Sequence, residues 1–131
     1  MSKISKLSDI ETYKEALIMA KEIYSLAGNT ILTKEFSLSD QIKRASLSIA
    51  ANIAEGYGRK SNKDFSRYIS LSIGSQNEVI TYLDFINIQF HLNISGIRSK
   101  YELLSHRLAS FRKYLSSNSQ PPTTNYQLST K

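Results

Sequence analysis

The chain has 131 residues, 40% of them hydrophobic, which is enough for one domain with a buried core; its net charge is +6, from 17 Lys and Arg against 11 Asp and Glu. The absence of cysteine removes disulfide scaffolds, thiolate metal sites and cysteine nucleophiles, and fits a reducing cytoplasm. The N-terminal MSKISKLSDIETYK holds no signal-peptide run, and no segment offers the ~18 uninterrupted apolar residues of a membrane span, so a cytoplasmic chain with no membrane partner is expected.

The first periodic segment, Ile10, Tyr13, Leu17, Ala20, Tyr24 and Ala27, alternates spacings of three and four and predicts an amphipathic helix near residues 9–28. Ser8 and Glu11 have capping-box spacing at its start, and Gly28-Asn29 is a stop signal. A connector that includes Thr33 to Ser37 leads to a second helix near residues 38–57, with Leu38, Ile42, Ala45, Ile49, Ile53 and Gly56 on one face. Leu47, Ala50, Ala51 and Ala54 add apolar surface on its other faces, so this helix is expected to be more buried than the first. GYGRKSN then turns the chain, and Ser61 with Asp64 gives another cap signal. A third helix near residues 62–91 follows through Phe65, Ile69, Ser72, Gln76, Val79, Leu83, Ile86 and Phe90. The link from His91 to Ser95 opens a fourth, near residues 96–116, through Ile97, Tyr101, Leu104, Leu108, Phe111 and Leu115. The remaining SSNSQPPTTNYQLSTK holds both prolines and no period, and reads as a disordered tail. Four helices, short links and no alternating strand pattern predict an all-α fold: an antiparallel up-down-up-down four-helix bundle over residues 1–116, with a tail at 117–131.

Function has to come from particular residues. A hairpin about Arg59 and Lys60 sets Ile53 level with Phe65, Ile49 with Ile69, and Ala45 with Ile73 and Gly74. Ala45, Ser46, Ser48 and Ala50 then meet Ser70, Ser72, Gly74 and Ser75, an arrangement that permits close helix axes and gives the mid-helix Gly74 a packing role. In this register Glu55 falls near the start of the third helix, where backbone N–H groups, Lys63 and Arg67 offset its charge, and Asn52 sits one turn earlier. Both read first as fixing helix ends and interface register, because no acid–base partner for a catalytic Glu55 is visible. GYGRKS lacks phosphate-loop spacing and follows a helix rather than a strand, so Gly56 and Gly58 read as helix-ending and turn residues that tolerate positive φ. Arg59, Lys60, Lys63 and Arg67 gather about the turn as a candidate phosphate-binding patch, whose plain alternative is a solvated face. Lys43 and Arg44 on the second helix, with Arg98, Lys100, Arg107, Arg112 and Lys113 on the fourth, extend the charge. Tyr57, in the turn, is placed to stack on an exposed base; the tyrosines mostly fit seam positions. His91 and His106 belong to no Glu-x-x-His motif, so neither a metal, a cofactor nor a catalytic residue is assigned.

The run QIKRASLSIAANIAEGYGR from Gln41 to Arg59, followed by Phe65, Tyr68 and Ile73-Gly74-Ser75-x-x-Glu78, closely resembles the four-helix-bundle proteins encoded by intervening sequences of bacterial 23S ribosomal RNA genes. The likeness covers roughly residues 7–116, is strongest at 38–78 and includes the signature NIAEG. The family usually has Pro where Ala50 stands and often a Trp in the first helix, and the tail is additional here. The resemblance implies a ring-shaped homopentamer, with the second helix facing both its own bundle and a neighbour, a basic RNA-binding surface and no enzymatic activity. It also extends to a related branch, the accessory variability determinant of diversity-generating retroelements, which binds a reverse transcriptase and RNA.

Overall fold

A computed structural model describes residues 4–117, and these residues are helical throughout their regular structure, with no strand among them. Helix α1 spans Glu11–Ala27, α2 Phe36–Tyr57, α3 Asn62–Phe90 and α4 Ser95–Ser116, with short 3-10 turns at Leu7–Asp9 and Leu32–Lys34. The expected tail lies outside the described residues from 118 onward. Among the described residues no helix is long and apolar enough to cross a membrane.

The helix ends show which local signals operate. Ser61 caps α3 as its spacing predicts, its hydroxyl accepting from the Asp64 N–H at 3.1 Å. The Ser8–Glu11 box does not form, because Asp9 gathers the chain first: its carboxylate accepts from Ser5 N–H, Ser5 Oγ and Lys6 N–H at 3.0 to 3.2 Å and folds the 3-10 turn. Helix α1 therefore starts at Glu11, with Ile10 at its N-cap and no side-chain cap. Helix α2 starts two residues earlier than the periodicity indicates, at Phe36. No described glycine has positive φ; Gly58 closes α2 at φ −75°, and the left-handed residue is His91, at φ 56° beyond the end of α3.

The core follows the predicted faces of α2, α3 and α4: Ile42, Ala45, Ile49 and Ile53 face Phe65, Ile69, Val79, Leu83 and Ile86, with Tyr101, Leu104, Leu108, Phe111 and Leu115 beside them. Helix α1 is rotated from its predicted seam. Its buried residues are Thr12, Ala16, Met19, Ala20, Ile23 and Ala27, while Leu17 and Tyr24 are exposed. The inner face mixes Ala16, Ala20 and Ala27 with Met19 and Ile23, and Leu17 and Tyr24 lie outside. Of the other predicted apolar faces of α2, Ala50 is buried, but Leu47 and Ala51 are exposed.

Cross-helix bonds set the register. Between α2 and α3, Tyr82 Oη donates to Gln41 Oε1 at 2.7 Å, the Ser48 and Ser75 hydroxyls share a bond of 2.8 Å, and Ser72 Oγ donates to the Ile49 carbonyl at 2.9 Å. Between α3 and α4, Arg98 pairs with Asp84 at 2.8 Å and Arg112 donates to Ser70 Oγ at 3.3 Å. Between α1 and α4, Lys100 pairs with Glu22 at 2.9 Å and Arg107 with Glu15. In each of these three pairs the bonded residues rise in number on one helix as they fall on the other. The α2–α3 pairing differs from the predicted one by about a helical turn. Its centre lies near Ser61, where α3 is capped, rather than at Arg59 and Lys60.

Candidate nucleic-acid interface

The signature run lies in the last turns of α2, and its polar residues are tied locally. Asn52 Nδ2 donates to the Ser48 carbonyl at 2.9 Å and to Ser48 Oγ at 3.1 Å, so Asn52, Ser48 and Ser75 form one chain across the α2–α3 seam. Glu55 is exposed and pairs at 2.9 Å with Arg59, four residues on and just past the end of α2; no bond to it from the N–H groups of α3, Lys63 or Arg67 is seen among the described residues. That i,i+4 spacing of Glu before Arg was the signal available in the sequence. Arg59 also donates to Tyr68 Oη and lies over the Tyr68 ring, 4.7 Å from its centroid, so it binds the end of α2 to α3.

The two glycines of this region differ. A Cβ on Gly56 would stand 2.7 Å from both Phe65 Cδ1 and Tyr68 Cβ, so its missing side chain is what lets α2 and α3 approach. Gly56 is therefore a close-approach residue and not a positive-φ one. Gly74 is exposed, with nothing within 4 Å of a Cβ placed there, which overturns its predicted packing role inside the bundle.

Of the predicted basic residues, Lys60 and Lys63 are exposed and in no ion pair with another described residue, whereas Arg59 is held by Glu55 and Arg67 by Asp64 at 3.1 Å. Lys43 lies over the Tyr24 ring at 5.0 Å and Arg44 pairs with Asp40 at 2.9 Å. They sit 15 and 16 residues before Arg59 on α2, roughly 22 Å away at 1.5 Å per residue, so the six do not form one patch. Arg112 joins the turn instead: its bond to Ser70 sets it one turn from Arg67, a proximity that no spacing along the chain reveals. Tyr57 is half-buried, and its ring stands at 73° to that of Phe65 with centroids 6.3 Å apart, so part of it is engaged in the bundle. His91 and His106 are exposed on separate segments, and among the described residues no three His, Asp or Glu gather to hold a metal ion.

Three cations of α4 serve the fold. Arg98 bridges Asp84 and Glu102, while Lys100 and Arg107 reach across to α1. The hydrogen bond from Arg98 holds the Asp84 carboxyl below its ordinary value of 3.8, against the opposing effect of desolvation. A carboxyl lowered in the folded state binds fewer protons there than in the unfolded chain. Its stabilisation is thus complete above the ordinary value and is lost as pH falls through the folded one. Replacing Arg98 by Met is expected to lower the melting temperature near neutral pH, and the gap from the parent should narrow as pH falls below the ordinary carboxyl value of 3.8. Thermal scans from neutral pH to below that value test this; a gap independent of pH would refute it.

A family model described as 23S rRNA-intervening sequence protein matches residues 8–117. A solved structure, a protein with unknown function from the S23 ribosomal protein family of Bacteroides thetaiotaomicron VPI-5482, is 28% identical with a TM-score of 0.57, over 81% of this chain and 95% of that one. No curated protein matches the chain.

Proposed function

Because the chain belongs to the 23S rRNA-intervening sequence protein family, we propose that it is a non-enzymatic scaffold that binds RNA through its basic surface and assembles with copies of itself, as a pentamer in the cytoplasm. The four helices run up and down in turn, a reading supported by the inverse numbering of every cross-helix pair. One observation carries the scaffold reading. The Ser48, Ser72 and Ser75 hydroxyls join α2 to α3 along their seam, while Lys60 and Lys63 face outward at the turn with no carboxylate partner among the described residues.

Assembly is supported by the apolar side chains that a single chain leaves uncovered. Ile18 is 62% exposed and Leu71 54%, and Leu17, Tyr24, Leu47 and Leu103 are exposed with them. A neighbour covering this surface gives the large residues of α1 the burial that their periodicity leads one to expect. The accessory-subunit alternative, with a reverse transcriptase as partner, adds no residue to this site. Light scattering at micromolar concentration, with and without a short RNA duplex, is expected to give five times the chain mass and a heavier species with RNA. A monomeric mass would refute assembly, and an unchanged mass with RNA at low salt would refute the ligand.

A further inference from the structure

The positive charge is not spread over the bundle. Residues 15–54 and 71–107 contain seven Lys or Arg and seven Asp or Glu, and are neutral as a body. The described stretches 4–14, 55–70 and 108–117 contain eight cations and four carboxylates. The Arg112–Ser70 bond, the Phe65–Phe111 ring contact at 5.2 Å and the Arg107–Glu15 pair bring these three stretches to the same end. Lys3 and Lys131, the remaining cations, lie outside the described residues.

Within that end the carboxylates are already engaged: Glu11 by Lys14, Glu55 by Arg59, Asp64 by Arg67, and Asp9 by Ser5 and the Lys6 N–H. Lys60, Lys63 and Lys113 are exposed with no ion pair to another described residue, and Arg112, which donates to the neutral Ser70 hydroxyl, has no ion pair to one either. Any approaching phosphate therefore meets cations whose charge is uncompensated and no free carboxylate. None of the aromatic rings at this end is fully exposed. Phe65 and Phe111 are buried, Tyr13, Tyr57 and Tyr114 half-buried, and the face of Tyr68 is covered by Arg59. Single strands are held largely by bases stacked on exposed aromatic rings, whereas duplexes are read through their phosphates.

Resting on the RNA-binding reading above, we infer that the nucleic acid docks on this one end of the bundle, through Lys60, Lys63, Arg112 and Lys113, and that it is duplex rather than single-stranded RNA. Lys43 and Arg44 fall in the neutral half and take no part. Each of the four residues releases counterions, so one engaged chain should give a slope of log K against log salt of about −3 to −4.

The test is fluorescence anisotropy with a labelled RNA duplex and with one of its strands, from 50 to 200 mM salt. It compares the parent, a variant with Lys60, Lys63, Arg112 and Lys113 all changed to Gln, and a control with Lys21, Lys34, Lys43 and Arg44 changed to Gln, each checked for helix content by circular dichroism. The first variant is expected to bind duplex about 10-fold or more weakly at 100 mM salt, and the control within about 3-fold of the parent. The parent is expected to prefer duplex over strand. Equal losses in the two variants would overturn the end assignment and leave RNA binding standing, and a parent that binds the strand as tightly as the duplex would overturn the ligand class. A parent that binds neither would overturn this inference together with the RNA-binding reading.

Discussion

Replacing Phe65 by Ala is expected to cost about 3–5 kcal/mol, a large part of the ~5–15 kcal/mol that holds a domain of this size. Phe65 is 0% exposed and sits where three helices meet: it lies against Gly56 and Tyr57 at the end of α2, and its ring stands edge-to-face with Phe111 of α4 at 5.2 Å. Truncation removes transfer free energy and leaves a cavity between elements that cannot readily close, because Arg59 and Tyr68 pin the adjacent turn. Each aromatic pair adds about 0.5–1.5 kcal/mol beyond area burial. Urea denaturation of both proteins measures the difference, and a loss under about 1 kcal/mol would mean that the junction is not a packing centre. Helix content should survive in the folded fraction, while the turn bearing Lys60 and Lys63 loses its support, so RNA affinity is expected to fall along with stability.

The inner faces of α2, α3 and α4 were legible because each carries one dominant apolar stripe, and the three- and four-residue steps from Phe65 to Ile86 or from Tyr101 to Leu115 admit one orientation. Helix α1 has two stripes. Leu17 and Tyr24 on one compete with Ala16, Met19 and Ile23 on the other, and since Met19 and Ile23 are about as large and apolar as Leu17, hydrophobicity does not decide between them. Periodicity gives a helix and its stripes but not their ranking. The hairpin register was misplaced by about one turn because the centre of a turn is set by where the next helix is capped, and Ser61, although visible as a cap, lies past the two residues taken as the pivot. At the site, the basic turn could be read directly from GYGRKSN. The pairing of Glu55 with Arg59 was available in its spacing, but the arrival of Tyr68 and Arg112 is tertiary and leaves no local trace.

Gly56 and Gly74 each lie within a helix, and substitution by Ala is expected to act on them with opposite signs. At Gly74 a methyl group enters open space, so only the backbone term operates and the variant should gain about 1 kcal/mol. At Gly56 the same backbone gain is set against a Cβ placed 2.7 Å from Tyr68 Cβ and from Phe65 Cδ1. The first neighbour is fixed to the α3 backbone and the second is held by Tyr57 and Phe111, so neither can turn aside. Overpacking of this kind costs about 1–3 kcal/mol, leaving a net loss of roughly 1–2 after the helix propensity gain. Strain in φ makes no contribution, since both residues are within right-handed helix. Chemical denaturation of the two variants beside the parent reads both values, and the same sign for both would refute the distinction. A Gly56→Ala, Phe65→Ala double variant separates the causes: with the ring removed, most of the Gly56→Ala loss should disappear if the ring is the neighbour that resists, whereas a loss that persists in full assigns the resistance to Tyr68 and the α3 backbone.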